Sequence, residues 1–352
     1  MGEGTLAVMD RRGAVVSALR VALDLSGSLE PLGNSMNDLA HALRERAVVE
    51  VSTFRTQSAA GELDHRIFLR RLWRPGWQRS RGLPLDVLIK NVDVFHFAGL
   101  ATPPSRHVPV MVSVDDLRPL RDETRDVYRH QQLRRAVDSG ARLVATSESA
   151  RWEIQQLLSI EHDDVDVSFP AVALPVAMSE GRNLVVNVTG RTEQLLVLRT
   201  PLERLAERRG SELVIVASTQ ARARLRSAGI RATLRPRTEA AAVLRDARLL
   251  VHLSDGARFP SFAISALGGG VPVVATDTRT NREILHGAAV LCTSDDAEHF
   301  GAEVASLWDD EARRAIHIAA GRARANDFVP AVAAAGYESL YRSVRQRWER
   351  RQ

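Results

Sequence analysis

The sequence predicts an α/β fold of two Rossmann-like domains whose parallel sheets face each other across a cleft. Three observations carry this reading. The chain has 352 residues, more than one hydrophobic core organises well, so length alone calls for two domains. Short β-rich runs alternate with amphipathic helical stretches, the pattern of a parallel sheet covered by helices. The alternation halts in an irregular stretch at 169–181 that holds two prolines, then restarts.

In the first half, 20–25 (RVALDL) reads as the opening strand and 26–34 as a Gly/Ser/Pro loop. A helix over 35–46 follows, with Met36, Leu39, Ala40 and Leu43 at core spacing. Further strands are expected at 48–53, 93–97, 108–113 and 141–146. The last leads into a helix that Ser147 or Ser149 would cap, and a strand at 165–169 closes the half. The second half opens with a buried strand at 183–188, followed by a helix at 196–209 and a strand at 212–217. A helix at 219–228, a strand at 230–234 and a helix at 238–246 come next, then a strand at 249–253. The helix that starts near Phe262 ends at Gly268-Gly269-Gly270, a C-cap signal. A strand at 271–276 precedes two long helices, one over 297–325 with a break and one over 332–350. The expected domains are 1–170 and 171–330, with a terminal helix at 331–352 for which a return to the first domain is left open.

Composition narrows the class. Hydrophobic residues are 45% and charged residues 26%, enough apolar material for two cores. One cysteine, Cys292, excludes a disulfide framework and multi-cysteine metal sites. It lies in an apolar run and reads as a packing residue. No stretch reads as a signal peptide or membrane span, so a cytoplasmic location is expected, with peripheral contact at the inner membrane face left open. Net charge is +5 and Lys90 is the only lysine. The arginines are spread along the chain and aromatics are only 5%, which argues against nucleic acid. Arginine-rich 222–237 and 342–350 are where an anionic membrane would touch. No histidine spacing suits a metal, and none is expected.

Residues 249–292 read LLVHLSDGARFPSFAISALGGGVPVVATDTRTNREILHGAAVLC. Phe259-Pro260, Ala266, Gly270, Pro272-Val273-Val274-Ala275, Glu283-Ile284 and Ala288-Ala289 fall in register with a known pattern. The stretch resembles the donor-binding segment of retaining family 4 glycosyltransferases, mannosyltransferase-like proteins of GT-B fold. Val92–His96, Val110–Leu120 and Leu143–Ser149 resemble that family's first-domain segments in the right order, and Arg322–Val344 its ending without the usual tryptophan.

The resemblance implies transfer of a hexose, with retention, from a nucleotide-sugar to a polysaccharide or glycolipid acceptor. The nucleotide diphosphate-sugar would be a co-substrate, and no cofactor is expected. Departing diphosphate calls for arginine or lysine and for backbone N–H groups at helix N-termini. Arg191 matches the family's phosphate-binding arginine, while the lysine that follows it is replaced, with Arg199 open as a substitute. Gly27 and Gly33 fit the glycine turn that approaches the phosphates. His96 matches a family histidine at a strand end beside the cleft. Asp115 replaces the histidine near the reacting sugar, and Asp116 matches the aspartate after it. The two donor glutamates fall on Ala257 and Ser265, with Asp255 as the carboxylate that could replace the first. The missing glutamates keep a second reading open: a catalytically degenerate GT-B protein, serving as a binding module or as the partner of an active transferase.

Overall fold

The computed structural model describes residues 7–9, 15–27, 35–46, 49–55, 63–65, 83–98, 102–121, 123–175, 181–190 and 192–351. They form two compact units. The first holds the chain through Ser35–Ala171 and takes back Pro330–Gln352; the second is Val172–Val329.

The first unit opens with a two-stranded antiparallel ribbon, β1 (Ala7–Met9) and β2 (Val15–Ser17). Its main sheet contains β3 (Leu19–Asp24), β4 (Val49–Phe54), β5 (Val94–Ala98), β6 (Val110–Val114), β7 (Arg142–Ala145) and β8 (Val165–Val167). All pair in parallel, in the order β4-β3-β5-β6-β7-β8. The helices are α1 (Ser35–Glu45), α2 (Leu85–Leu88), α3 (Arg118–Arg121), α4 (Glu123–Asp138) and α5 (Glu148–Leu158). Ser147 is the cap of α5, accepting from the Ala150 N–H at 3.0 Å. Two of these helices escape a pattern search. α2 spans only four residues, and α4 is so polar that no apolar stripe announces it.

The second unit contains β9 (Asn183–Val188), β10 (Leu213–Ala217), β11 (Thr233–Pro236), β12 (Ala247–Leu253), β13 (Val273–Thr276) and β14 (Val290–Cys292). Its parallel order is β11-β10-β9-β12-β13-β14. Counted within the unit, that is third, second, first, fourth, fifth, sixth: the Rossmann order. β9, β10 and β13 are buried almost continuously, as strands covered on both faces must be. The helices are α6 (Thr192–Arg208), α7 (Thr219–Ser227), α8 (Ala240–Arg245), α9 (Ser261–Gly269), α10 (Arg279–Ile284), α11 (Ala297–Asp309) and α12 (Glu311–Ala325). The expected break falls at Asp310, which ends α11 and caps α12 through the Arg313 N–H at 2.9 Å. One core layer packs Leu184, Val186, Ile215, Val251 and Val274 of the sheet against α6 and α11. Gly301 of α11 allows the helices to meet, since a Cβ there would lie 2.6 Å from Pro201 Cβ. Cys292 is buried in this layer, and burial pushes its thiol up to about 11, which leaves it inert at neutral pH.

The last helix, α13 (Pro330–Glu349), packs in the first unit, where Ala333, Ala334, Tyr337, Tyr341 and Val344 join the core with α1 and β3. A polar seam lies within that contact. Tyr341 Oη meets His96 Nδ1 at 2.8 Å, His96 Nε2 meets Ser113 Oγ at 2.7 Å, and Ser113 Oγ meets Tyr337 Oη at 3.0 Å. Arg46 and Arg342 both pair with Glu338 at its rim.

Candidate functional site

In an open parallel sheet, ligands bind at the carboxyl ends of the strands where the order reverses. For the second unit that crevice lies between β9 and β12. Their outgoing turns touch closely: a Cβ on Gly190 would come within 2.8 Å of the Asp255 amide nitrogen and 3.0 Å of Gln194 Oε1. Thr189 ties the two turns together, its N–H donating to the Leu253 carbonyl at 2.9 Å and its Oγ1–H at 3.2 Å. After β12 the chain is pinned by a reciprocal pair. The Ser254 N–H donates to Thr276 Oγ1 at 2.9 Å, and Thr276 Oγ1 donates to the Ser254 carbonyl at 2.8 Å.

The two positions that the resemblance aligns with donor glutamates are buried, Ala257 and Ser265 each being 1% exposed. Asp255 is half-buried and accepts from the Ala257 N–H at 3.0 Å, which makes it first a turn residue. Gly256, at φ +74°, completes that turn. Arg191 and Gly33 lie outside the described residues. α6 begins at Thr192, next to Arg191, which brings the helix N-terminus to this edge of the sheet. Arg199 faces elsewhere: it pairs with Glu203 at 3.0 Å and donates to the carbonyls of Ala228 and Gly229. It is committed to holding α6 against the end of α7.

Among the described residues, Arg237 brings a cation to this crevice, and sequence reasoning missed it. It follows β11 at the carboxyl edge and reaches past β10, its Nη2 donating to the Val188 carbonyl at the end of β9 at 3.2 Å. Beneath it lies a buried polar pair, Asn187 Nδ2 with His252 Nδ1 at 3.1 Å. Burial first, then the charge of Arg237, pushes the His252 imidazole down to about 4. Among the described residues, Gln194 Oε1 and His252 Nε2 are buried without a hydrogen-bond partner. The available signal was a basic residue just after the third strand of a Rossmann unit; strand order was needed to make it meaningful.

In the first unit the order reverses between β3 and β5. Gly27 ends the 3-10 turn that follows β3 at this point. Asp24, buried at the strand end, shapes the turn by accepting from Ser26 N–H at 2.9 Å and Ser26 Oγ–H at 2.5 Å. His96 does not sit at a strand end. It occupies the middle of β5, 0% exposed, with both ring nitrogens engaged in the seam under α13. The alternation of a strand explains this: Phe95 and Phe97 take one face and His96 the other. Burial holds its pKa at about 3, so the ring is neutral. Asp115 follows β6 and is exposed at its carboxyl end. Asp116 grips Arg118 through both oxygens, at 2.9 and 2.6 Å. Among the described residues, no group of three or more His, Cys, Asp or Glu is placed to hold a metal. Among those residues, no helix is long and apolar enough to cross a membrane.

Two parallel six-stranded Rossmann-type sheets in one chain are the GT-B fold of glycosyltransferases. Residues 181–310 match the family described as Glycosyl transferases group 1. HepE of Anabaena, solved with UDP and glucose, aligns at TM-score 0.63 and 14% identity over 93% of this chain and 100% of that one. Sucrose-phosphate synthase of Thermosynechococcus elongatus aligns at 0.66 and 14% identity, over 93% and 99%. TarM aligns at 0.58 and 12% identity over 73% of this chain, which spans only 56% of TarM's length. No curated protein matches the sequence. The family match lies within the second unit and covers just over a third of the chain, and these neighbours share the chain's fold.

Proposed function

We propose that this chain transfers a hexose, with retention, from a nucleotide diphosphate-sugar to a polysaccharide or glycolipid acceptor. The observation that carries the reading is Arg237 at the end of β9, a guanidinium in the reversal crevice of a Rossmann sheet. With Arg191 and the N-terminus of α6, it supplies positive charge where the diphosphate departs. The bond from the anomeric carbon to the phosphate oxygen breaks, and its electron pair leaves with the diphosphate. The acceptor oxygen bonds that carbon, and its proton passes to the departing phosphate. Arg237 thereby takes the part of the absent lysine, which Arg199 is too engaged to play. Asp115, exposed after β6, is assigned to the sugar or acceptor hydroxyls. The reaction needs no cofactor in this scheme. HepE in complex with UDP and glucose supports the donor class.

A second reading, a degenerate GT-B protein partnering an active transferase, is favoured by the buried Ala257 and Ser265. Calorimetry with UDP, GDP and their sugars separates the two. The enzyme reading expects saturable binding that weakens about tenfold or more in both Arg191→Ala and Arg237→Ala, the usual effect of losing a charged hydrogen bond. No heat with any of these nucleotides at millimolar concentration would overturn it. Binding without transfer, together with a stable complex with a second transferase, would establish the partner reading.

A further inference from the structure

The two arginine-rich stretches of the sequence have different uses in the structure. In 342–350 the arginines are engaged within the first unit. Arg342 meets Glu338, Arg345 meets Asp93 at 3.4 Å and Glu349 at 2.7 Å, and Arg347 reaches Asp166 at 4.0 Å. Asp93 precedes β5 and Asp166 lies in β8, so these charges anchor α13 to the sheet.

The stretch 219–237 is the opposite case. It holds six arginines and neither aspartate nor glutamate, so it alone carries more positive charge than the whole chain's net +5. It runs through α7 and β11, the edge strand of the second sheet. Arg224, Arg226, Arg231 and Arg235 are exposed. Arg231 meets Glu203 at 3.4 Å and Glu207 at 3.8 Å, and Arg235 meets Glu239 at 3.5 Å. Water screens these pairings, because the two arginine side chains are 68% and 50% exposed. Arg224 and Arg226 flank Leu225, whose buried side chain turns that side of α7 to the core and leaves the arginines astride the outer face. Beside them α6 exposes an apolar pair, Leu196 at 40% and Val197 at 52%. Arg199, one turn on, donates to the Ala228 and Gly229 carbonyls just past Arg226, at 2.8 and 2.6 Å, and so braces the two helices as one surface.

We propose that this face of α6 and α7 docks the second unit on an anionic membrane surface. The guanidinium groups meet lipid phosphates, and Leu196 and Val197 enter the headgroup layer. Exposed aliphatic side chains among arginines gain from a bilayer what a nucleic acid or a soluble anion does not supply. The docking does not rest on the donor assignment, because Arg224, Arg226, Leu196 and Val197 have no part in it.

The test is flotation of the full chain with vesicles of equal parts phosphatidylglycerol and phosphatidylcholine, against phosphatidylcholine alone. Binding to the mixed vesicles is expected at roughly 0.1 M salt and its loss at roughly 1 M, where the screening length falls to about 3 Å. Arg224→Glu with Arg226→Glu should weaken binding about tenfold or more, since each arginine near such a surface contributes roughly fivefold. Leu196→Ser with Val197→Ser should weaken it as well, whereas Arg350→Glu with Arg351→Glu should leave it unchanged. All six residues are exposed, so these variants keep the fold, and the urea midpoint checks it. No binding to the mixed vesicles or equal binding to the neutral ones would overturn the proposal. So would unchanged binding in the Arg224/Arg226 or Leu196/Val197 variant, an equal loss in the Arg350/Arg351 variant, or tighter binding to duplex DNA than to the mixed vesicles.

Discussion

Gly190 and Arg237 both serve the same crevice, one by what it lacks and the other by how far it reaches. The missing side chain of Gly190 lets the turn after β9 lie against the turn after β12, where the nearest atom to any added Cβ is the Asp255 backbone nitrogen. Backbone cannot swing aside as a side-chain tip can. Gly190→Ala should therefore destabilise the second unit by about 1–3 kcal/mol, the usual cost of overpacking, read as a lower midpoint in urea. Wild-type stability in the variant would show that the turns part freely. Arg237 works by length, because only a long, planar cation can start after β11 and end at the Val188 carbonyl.

At the scale of elements, α13 is the instructive case. Its apolar face alone would slide, since alanines make up much of it; the polar seam fixes where it sits. Tyr341 and Tyr337 meet His96 and Ser113 in a region without solvent, and burial pushes the Tyr337 hydroxyl up to about 12, so it stays protonated. Tyr341→Phe keeps the ring and strips the partner from His96 Nδ1. A loss of about 1–3 kcal/mol is expected, the cost of leaving a buried polar atom unsatisfied, measured by chemical denaturation. No change would show that the hydroxyl contributes nothing to docking the helix. The expected long helix over 297–325 shows a case in which the break was expected and the structure places it at one residue. Asp310 breaks it because a side chain that caps the next helix holds its own backbone out of helical geometry.

For the whole molecule, acid is the weak direction. Each unit buries one neutral histidine in a strand: His96, held at about 3, and His252, at about 4. Unfolded histidine takes its proton near 6.5. Between those values the unfolded chain binds protons that the folded chain refuses, so stability is full above pH 6.5 and falls as pH drops through the window. At pH 5 each histidine should cost about 2 kcal/mol relative to neutral pH. Urea melts at pH 7.5, 6.5 and 5 check this, and His252→Asn should flatten the second unit's share. A midpoint that holds steady from 7.5 to 5 would show that neither ring is protonated on unfolding in that range.

The sequence by itself determined the alternation of strands and helices, the restart at 183, the glycine cap at Gly270 and the presence of a break within 297–325, because each depends on neighbours a few residues apart. It also revealed what the stretch resembling a donor segment lacks, since Ala257 and Ser265 cannot carry a charge wherever they lie. Only the tertiary structure decided which charges gather. Strand order placed Arg237 beside β9, nearly fifty residues away along the chain, and committed Arg199 elsewhere. It turned His96 from a candidate at a strand end into the buried centre of a seam with a helix 245 residues on. These are contacts between distant segments, and local pattern carries no record of sheet order, which is settled by how whole layers pack.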